Sequence, residues 1–235
     1  MSEVVVPPRP GGQAATRIVP ITLASVNCYL VTDDAGFVLV DSSKPEERAE
    51  LDAALTRAGC LPGTLNIIVL THGDYDHAGN AAYLREKYTS TIALHRDDSE
   101  RVERGDWTLN MKPKPDKFGL LFRAVSIFIK PGPFETFVPD IYVEDGQSLA
   151  QYGLDATVLH LPGHTKGSIG VLTGRGDLFC GDLFDSMMGK PTFEFFIDDM
   201  AAARASLQRL RTLDVGRVFP GHGKPFRLDQ VSGRR

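Results

Sequence analysis

The sequence predicts an α/β or α+β sandwich, because strand-like runs are interleaved with and flanked by helix-like segments. Short apolar runs separated by glycine-containing turns recur in both halves of the chain, a pattern typical of strands. Apolar residues make up 42% of the 235 positions, which is enough for a sizeable core. The interior contains neither a linker nor a low-complexity tract, so we expect one domain over residues 1–235.

The predicted elements follow one another along the chain. The start, residues 1–15, is rich in Pro and Gly, and we expect it to be flexible. A helix over 45–58 begins at Pro45 and carries two glutamates in its first turn, where the helix dipole favours negative charge. Further helices are predicted over 81–88 and 199–213. The predicted strands cover 18–23, 27–32, 37–40, 65–70, 91–94, 141–143, 147–152, 156–161, 168–172, 177–180 and 217–219, with a hairpin turn at 33–36.

A dense group of ionisable residues follows the strand-like run 65–70. Four of the six positions in this group are His or Asp, namely His72, Asp74, Asp76 and His77. Such residues rarely sit unpaired in a core, and helix capping would explain only one of the aspartates. Side chains on a strand-to-helix turn can converge on one point, where imidazole and carboxylate groups bind metal ions. The stretch therefore predicts a metal site, and the nearby helix N-terminus favours a neutral, ligating His77.

Two later strands end in Pro-Gly and then present a histidine, His164 and His222. Between them, a Cys-Gly pair leads to Asp182. Glycine permits a sharp turn, so the side chain that follows can point off the strand end rather than into the sheet. Each of these signals is weak alone. Together with the turn over 72–77, they predict that the three residues complete one metal centre.

Four further side chains were considered as site candidates. Asp41 ends a strand-like run, and it is either an ordinary turn residue or a carboxylate that orients the metal loop. His95 and His160 belong to no motif, and we interpret both as structural. Cys180 is interpreted as a small buried hydrophobe rather than a nucleophile or a ligand.

Taken together, these residues resemble the metallo-β-lactamase superfamily, from the runs 27–30 and 38–41 to the Pro-Gly-His-Gly at 220–223. The resemblance implies a four-layer αββα sandwich with a two-metal site at one edge. By similarity, one metal would be held by His72, His164 and position 74. The other would be held by Asp76, His77 and His222, with Asp182 bridging the two. The expected cofactors are two divalent metal ions; zinc is favoured, and manganese or iron is compatible.

The sequence departs from the family pattern at one position. The family usually has His-x-His-x-Asp-His, whereas this chain has Asp74 in place of the second histidine. Two divalent cations would then be balanced by three carboxylates and one bridging hydroxide, so the site would be formally neutral and its water less acidic. The harder oxygen ligand tilts the preference toward manganese or iron without excluding zinc. Alternatively, Asp74 does not ligate and a single metal binds.

The ligand set predicts a binuclear metal-dependent hydrolase, in which a bridging hydroxide attacks a small ester, lactone, thioester or amide. Asp76, or a water on the metal, would deliver a proton to the leaving group. The alternative function is redox: a non-haem iron oxygenase or a di-iron oxidoreductase on the same fold. It is supported by a resemblance to the flavodiiron proteins, which place Glu where this chain has Asp74. A binding module without catalysis is disfavoured, because every expected ligand position holds a competent ligand.

Residues 98–140 are interpreted as an insertion, broken by Pro-containing turns and rich in aromatic side chains. This segment could pack on the body as helices, form a dimer face or wall a pocket over the metals, and we favour the pocket wall. Substrate determinants are expected within 107–137 and 183–196, although most aromatic residues there should serve core packing. We expect the chain to lack the C-terminal helical domain with which glyoxalase II-type thioesterases hold glutathione.

Composition limits the partners. The formal net charge is −4, the pI is about 5.9 and no basic run is sustained, so we expect no nucleic acid partner. No apolar run approaches the roughly 20 residues that span a bilayer, so we expect no membrane association. The three cysteines are widely spaced and no signal peptide is visible at the start. We therefore expect a cytoplasmic enzyme with a small-molecule substrate, and a homo-oligomer is compatible with the sequence.

Overall fold

Strands and helices alternate along the chain much as the sequence predicts. The computed structural model describes residues 4–5, 16–32, 36–109 and 135–232. The strands are β1 (Val4–Val5), β2 (Arg17–Leu23), β3 (Val26–Thr32), β4 (Phe37–Val40), β5 (Leu65–Val69), β6 (Thr91–Leu94), β7 (Ile141–Tyr142), β8 (Ala156–His160), β9 (Ile169–Thr173), β10 (Asp177–Asp185), β11 (Thr192–Phe193), β12 (Arg217–His222) and β13 (Phe226–Arg227). The α-helices are α1 (Arg48–Arg57), α2 (Tyr75–Ala78), α3 (Ala81–Tyr88), α4 (Ser99–Arg104) and α5 (Met200–Leu210).

The strands form a hydrogen-bonded ladder in the order β7-β6-β5-β4-β3-β12-β10-β9-β8. In the first half, β4 to β7 run parallel to one another, whereas β3 pairs antiparallel with β2 and β4. In the second half, β8, β9 and β10 are antiparallel, and β12 runs parallel to β10. The two halves join at β3 and β12, where His222 is registered opposite Val26.

Alternating side chains sort the two halves into a four-layer sandwich. On β3, Leu30 packs in a core shared with α1 and α3, while its neighbours Tyr29 and Val31 belong to a second, central core. The central core also contains Phe179 and Phe219 from the other half of the sheet. A third core joins the outer face of that half to α5. Because strand side chains alternate between faces, the layers run helices, sheet, sheet, helix, and the predicted αββα class is confirmed.

Most predicted strands and helices are confirmed with shifted ends, but the predicted strand over 147–152 is wrong. There, Ser148 makes an isolated β-bridge and Ala150–Tyr152 forms a 3-10 turn. The buried apolar residues of this stretch are Leu149 and Leu154, which both enter the central core. The positions between them are more exposed, so the alternating burial of a strand is absent.

Two of the predicted helices have different first or last turns from those expected. The first begins as a 3-10 turn, Pro45–Glu47, and only then becomes α1. The helix predicted over 199–213 is the shorter α5, and Asp199 is its cap. The Asp199 Oδ1 accepts hydrogen bonds from the amides of Ala201 (3.1 Å) and Ala202 (3.0 Å), which have no partner within the helix. No helix in the described ranges has both the length and the apolar character needed to cross a membrane.

Some predictions fall on residues outside the described ranges. They include most of the turn at 33–36, nearly all of the start over 1–15, and residues 110–134 of the insertion. At the two ends of the insertion, α4 is a helix and Phe137 is buried in the core of α1 and α3. The pocket wall and the single-domain extent therefore stay predictions.

Buried polar contacts fix the end of β12 that carries His222. The side-chain amide of Asn27 donates to the carbonyl oxygens of Pro220 (3.0 Å) and Gly223 (2.8 Å). The Tyr29 hydroxyl donates to the same Pro220 oxygen at 2.7 Å. These bonds tie β3 to both sides of His222 at the join between the two halves of the sheet.

Replacing Asn27 with Ala should lower the free energy of unfolding by about 1–3 kcal/mol, because the Gly223 carbonyl loses its side-chain donor and the Pro220 carbonyl is left with that of Tyr29. Equilibrium urea unfolding measures this loss. Thr22→Ala is the matched control: it removes the 2.7 Å bond from the Thr22 hydroxyl to the Asn27 Oδ1 and leaves both contacts to β12 in place. Equal midpoints for the two variants would contradict the prediction.

Candidate metal centre

The seven predicted ligands come from separate parts of the chain and meet at the edge where the two halves of the sheet join. Asp182 lies in the middle of them. Its Oδ1 is 3.3 Å from the Nε2 of His77, and its Oδ2 is 3.2 Å from the Nε2 of His222 and 3.9 Å from the Nε2 of His164. The structure thus brings the two Pro-Gly-His turns and the aspartate of β10 onto the 72–77 turn.

Two groups of side chains each place three ligand atoms within 4.8 Å of one another. The first group is His72, His164 and Asp182, and the second is Asp76, His77 and His222. Asp74 faces the first group, with its Oδ2 3.2 Å from the Nε2 of His164 and 3.8 Å from the Nε2 of His72. Two cations could therefore bind side by side, with Asp182 between them.

The candidate ligands are placed by the ends of neighbouring strands and by the close approach of β10 to the loop at Thr71. Because β4 and β5 are parallel, Asp41 and His72 follow their strands at the same edge of the sheet. Asp41 adopts a left-handed φ of 61°, a conformation that is rare for a non-glycine residue and clusters at functional sites. At Gly181, where φ is 50°, a Cβ would lie 2.4 Å from the Oγ1 of Thr71. The glycine therefore lets β10 pass close to the loop and deliver Asp182.

The imidazoles turn their Nδ1 atoms away from the centre and toward other parts of the protein. Three rings are hydrogen-bonded there: His77 to the Asp41 Oδ2 (2.9 Å), His222 to the Ser25 carbonyl (2.7 Å) and His72 to the Thr71 hydroxyl (3.0 Å). The Nδ1 of His164 lies 3.7 Å from the Glu194 Oε2, beyond hydrogen-bond length, and has no hydrogen-bond partner within the described residues. Partners of this kind fix ring orientation and leave Nε2 for a metal. Asp41 also accepts the Thr71 amide at 2.8 Å. Of its two interpretations, the orienting carboxylate is the one that these contacts fit.

Burial and mutual charge shift the pKa values of the candidate ligands. Burial lowers the pKa of His72 well below its usual value. Burial also opposes protonation of His164 and His222, but nearby carboxylates outweigh it and raise the pKa of each to about 9. Burial would raise the pKa values of Asp74 and Asp182, but the surrounding imidazoles hold both below the usual range. The carboxylates are thus ionised, as metal ligands must be.

Three buried donor atoms at the centre have no hydrogen-bond partner within the described part of the chain: the Nε2 of His72, the Nε2 of His77 and the Oδ1 of Asp182. Buried polar atoms are rarely left in this state, and an ion is one of the standard explanations. At Gly221, a Cβ would lie 2.1 Å from the Asp182 Oδ1 and 2.6 Å from the His77 Cε1, so glycine keeps the centre open. Imidazole nitrogens and carboxylate oxygens suit zinc, manganese or iron. The residues therefore fit a pair of divalent cations.

Sequence reasoning missed three buried groups that contact the candidate ligands or their loop. Arg101 on α4 pairs with Asp74, Glu194 approaches His164, and Asp98 accepts the Gly73 amide at 2.9 Å. No local motif marks any of them. One usable signal was the aspartate at position 74, because an extra buried carboxylate calls for a cation nearby.

The two histidines interpreted as structural stack on each other, with ring centroids 4.3 Å apart and planes at 7°. The His95 Nδ1 accepts the Asp97 amide at 3.2 Å, and the His160 Nε2 donates to the Lys166 carbonyl at 2.9 Å. Protein partners thus occupy one nitrogen of each ring, although the same pair with Asp97 forms a third, more exposed group of donors. Cys180 is 1% exposed and packs in the core of α5, as a buried hydrophobe does.

A four-layer α/β sandwich with four imidazoles and three carboxylates at its joining edge is the arrangement of a metal-dependent hydrolase. The profile of the family described as "Metallo-beta-lactamase superfamily" matches residues 21–222. The chain belongs to the metallo-beta-lactamase superfamily. Within it, the chain is an enzyme, a metal-dependent hydrolase.

Named relatives and solved structures support this placement. The chain is 31% identical to the hydroxyacylglutathione hydrolase GloC of Haemophilus influenzae, over 75% of this chain and 76% of that protein. It is 25% identical to the acyl-coenzyme A thioesterase MBLAC2 of Bos taurus, over 76% of this chain and 62% of that protein. The solved chain described as "Crystal structure of TTHA1623 in a di-iron-bound form" is 32% identical in sequence. It superposes with a TM-score of 0.64 over 90% of this chain and 96% of that chain. The chain spans 50% to 61% of several other curated relatives.

Asp41→Asn should weaken cation binding by about 10- to 100-fold, because the carboxylate that holds the His77 ring is lost. Asparagine tolerates the left-handed backbone at this position, so the fold should be kept. Competition with a chromogenic chelator measures the affinity. Asp140→Asn is the control, since Asp140 also accepts a backbone amide, that of Ile92 at 2.8 Å. Unchanged affinity in Asp41→Asn would rule out the orienting role.

Proposed function

We propose that this protein hydrolyses a small thioester at a centre of two divalent cations. The observation that carries the proposal is the pair of three-ligand groups with Asp182 between them. The thioester class is supported by two relatives, the hydroxyacylglutathione hydrolase and the acyl-coenzyme A thioesterase. Both names describe release of an acyl group from a thiol compound.

Each cation would have its own set of protein donors. His72, Asp74 and His164 would hold one, Asp76, His77 and His222 the other, and Asp182 would be shared. When bound, such a pair of cations would have two effects. It would lower the pKa of a bound water, so that hydroxide is available as nucleophile near neutral pH, and it would polarise the substrate carbonyl. The protein holds the ligand side chains in place through the hydrogen bonds to the Nδ1 atoms of His72, His77 and His222. His72 and His77 are fully buried, so the protein excludes water from that side of the centre.

Asp76 lies at the open side of the centre, where its carboxylate would take up the proton of the attacking water and pass it to the leaving group. Its side chain is 30% accessible, compared with 14% for His222 and 7% for Asp182. Its Oδ2 lies 3.5 Å from the Nε2 of His222. A leaving thiolate needs little help, because a thiol has a pKa of about 8.5, whereas an alkoxide must be protonated as it leaves. Asp76 would therefore matter least for thioesters.

The proposal is tested with a set of substrates that share one acyl group on sulfur, on oxygen, in a lactone and in a lactam. We expect the highest kcat/KM for the thioester, measured as release of free thiol. Chelation should abolish that activity, and added zinc, manganese or iron should restore it. Turnover that survives complete removal of metal, or no turnover of any thioester by metal-loaded protein, would overturn the proposal.

Asp76→Asn should slow hydrolysis of the oxygen ester by about 100-fold or more, a typical size for a lost general acid. For the thioester with the same acyl group, the loss should be much smaller. Both rates are measured on protein whose metal content equals that of the wild type by elemental analysis. Equal losses on the two substrates, or no loss on either, would exclude proton delivery by Asp76.

The second candidate is a di-iron oxidoreductase, and one pair of observations favours it. Asp74 adds a hard oxygen donor to the site, and TTHA1623, a solved relative at 32% identity, is described in a di-iron-bound form. Iron in protein purified without added metal, together with oxygen consumption and no thioester turnover, would select this function over hydrolysis.

A further inference from the structure

The aspartate that replaces the family's second histidine is paired with a buried arginine. The Nη1 of Arg101 donates to the Oδ1 of Asp74. Only 4% of the Arg101 side chain and 12% of the Asp74 side chain are accessible. The pair leaves the other oxygen, Oδ2, facing the Nε2 atoms of His164 and His72, at 3.2 and 3.8 Å.

We infer that Arg101 is a positioning residue that makes Asp74 a one-oxygen ligand of the first cation and offsets the charge of that extra carboxylate. The inference rests on the proposed metal centre. Arg101 acts through Asp74, to which it donates a hydrogen bond.

The geometric part of the inference follows from the number of donor atoms. An imidazole presents one nitrogen to a metal, whereas a carboxylate can present two oxygens. By taking one oxygen of Asp74, the guanidinium leaves a single donor where the family has a single donor. Asp41 acts on His77 in the same way: its carboxylate bonds the ring nitrogen that faces away from the metal centre and so fixes the orientation of the ligand.

The electrostatic part follows from the ligand charges. Two divalent cations carry four positive charges, and three carboxylates with a bridging hydroxide carry four negative charges, so that set is neutral. A histidine in place of Asp74 would leave one net positive charge. A guanidinium stays protonated inside proteins, so Arg101 returns that positive charge to the centre.

The position of Arg101 is fixed by close packing of α4 on the turn over residues 72–77. At Gly73, a Cβ would lie 3.1 Å from the Arg101 Cβ and 2.9 Å from the Asp98 carbonyl oxygen. The Asp98 carboxylate accepts the Gly73 amide at 2.9 Å and the Thr165 hydroxyl at 2.8 Å, which ties the helix start to both loops. The Arg101 Nη2 lies 3.7 Å from Asp198, beyond hydrogen-bond length, so Asp74 is its nearer acidic partner.

The test is a double-mutant cycle read by metal binding. Stepwise zinc affinities and metal content are measured for wild type, Arg101→Met, Asp74→His and the double variant Asp74→His/Arg101→Met. Arg104→Met is the matched control, because Arg104 lies on the same short helix with 64% of its side chain accessible. Thermal unfolding of each chelated protein confirms that it folds.

We expect Arg101→Met to weaken one of the two zinc affinities by about 10- to 100-fold and to leave the other within a few-fold of wild type. Asp74→His alone should weaken the same affinity, because it removes the carboxylate that the buried guanidinium hydrogen-bonds and leaves Arg101 with the longer 3.7 Å pair to Asp198. The double variant should bind both cations more tightly than either single variant, and Arg104→Met should match wild type.

Each contrary result has one meaning. Wild-type affinities in Arg101→Met, or a double variant no better than Asp74→His, would overturn the role of Arg101 while the two-cation centre stands. If Arg101→Met weakened both zinc affinities equally, Arg101 would have a general structural role, and its role as a positioning residue for Asp74 would also be overturned. Failure of the wild type itself to bind two cations would instead overturn the proposed function, and this inference with it.

Discussion

The burial of five ionisable side chains at one edge of the sheet, with two more partly buried beside them, is the constraint on which the rest of the structure depends. Buried imidazoles and carboxylates are unfavourable unless each has a partner. The protein supplies partners on the outer side, such as Asp41 for His77 and the Ser25 carbonyl for His222. Within the described residues, two imidazole nitrogens and one carboxylate oxygen on the inner side have no hydrogen bond, whereas on the outer side this holds for the Nδ1 of His164. That asymmetry is what a pair of cations satisfies.

The candidate ligands could be predicted because short-range sequence signals mark each of them, although Asp182 and His222 lie within β10 and β12 rather than beyond their ends. A Gly or Pro-Gly before His164, Asp182 and His222 is a short-range signal, and the clustering of His and Asp after β5 is another. The layer order was implied by the family resemblance, and alternating burial on β3 then confirms it. The strand predicted over 147–152 failed because only Leu149 is buried within it, and the chain turns through Ala150–Tyr152 before Leu154 enters the same core. Asp41 stayed undecided because its role is set by His77, far away in sequence.

The residues that could not be predicted are those whose burial is decided by another segment. Arg101 and Arg104 lie on one short helix, yet 4% of the first side chain and 64% of the second are accessible. A helix of six residues gives too little periodicity to separate them. Arg101 is buried because α4 packs on the loop at Gly73. Glu194 reaches His164 from β11 and its following loop in a comparable way.

The start of the 98–140 segment therefore acts on the metal loop, whatever the rest of that segment does for substrate. Before any cation binds, an aspartate at position 74 without Arg101 would be a buried carboxylate facing the imidazoles of His72 and His164. In the proposed centre, Arg101 without that aspartate would be a buried guanidinium facing two divalent cations, with the Asp198 carboxylate 3.7 Å away. Either half alone is unfavourable, because unpaired buried charge is destabilising. Asp74 on the 72–77 turn and Arg101 on α4 thus act as one ion pair, and the chemistry of the centre depends on both residues together.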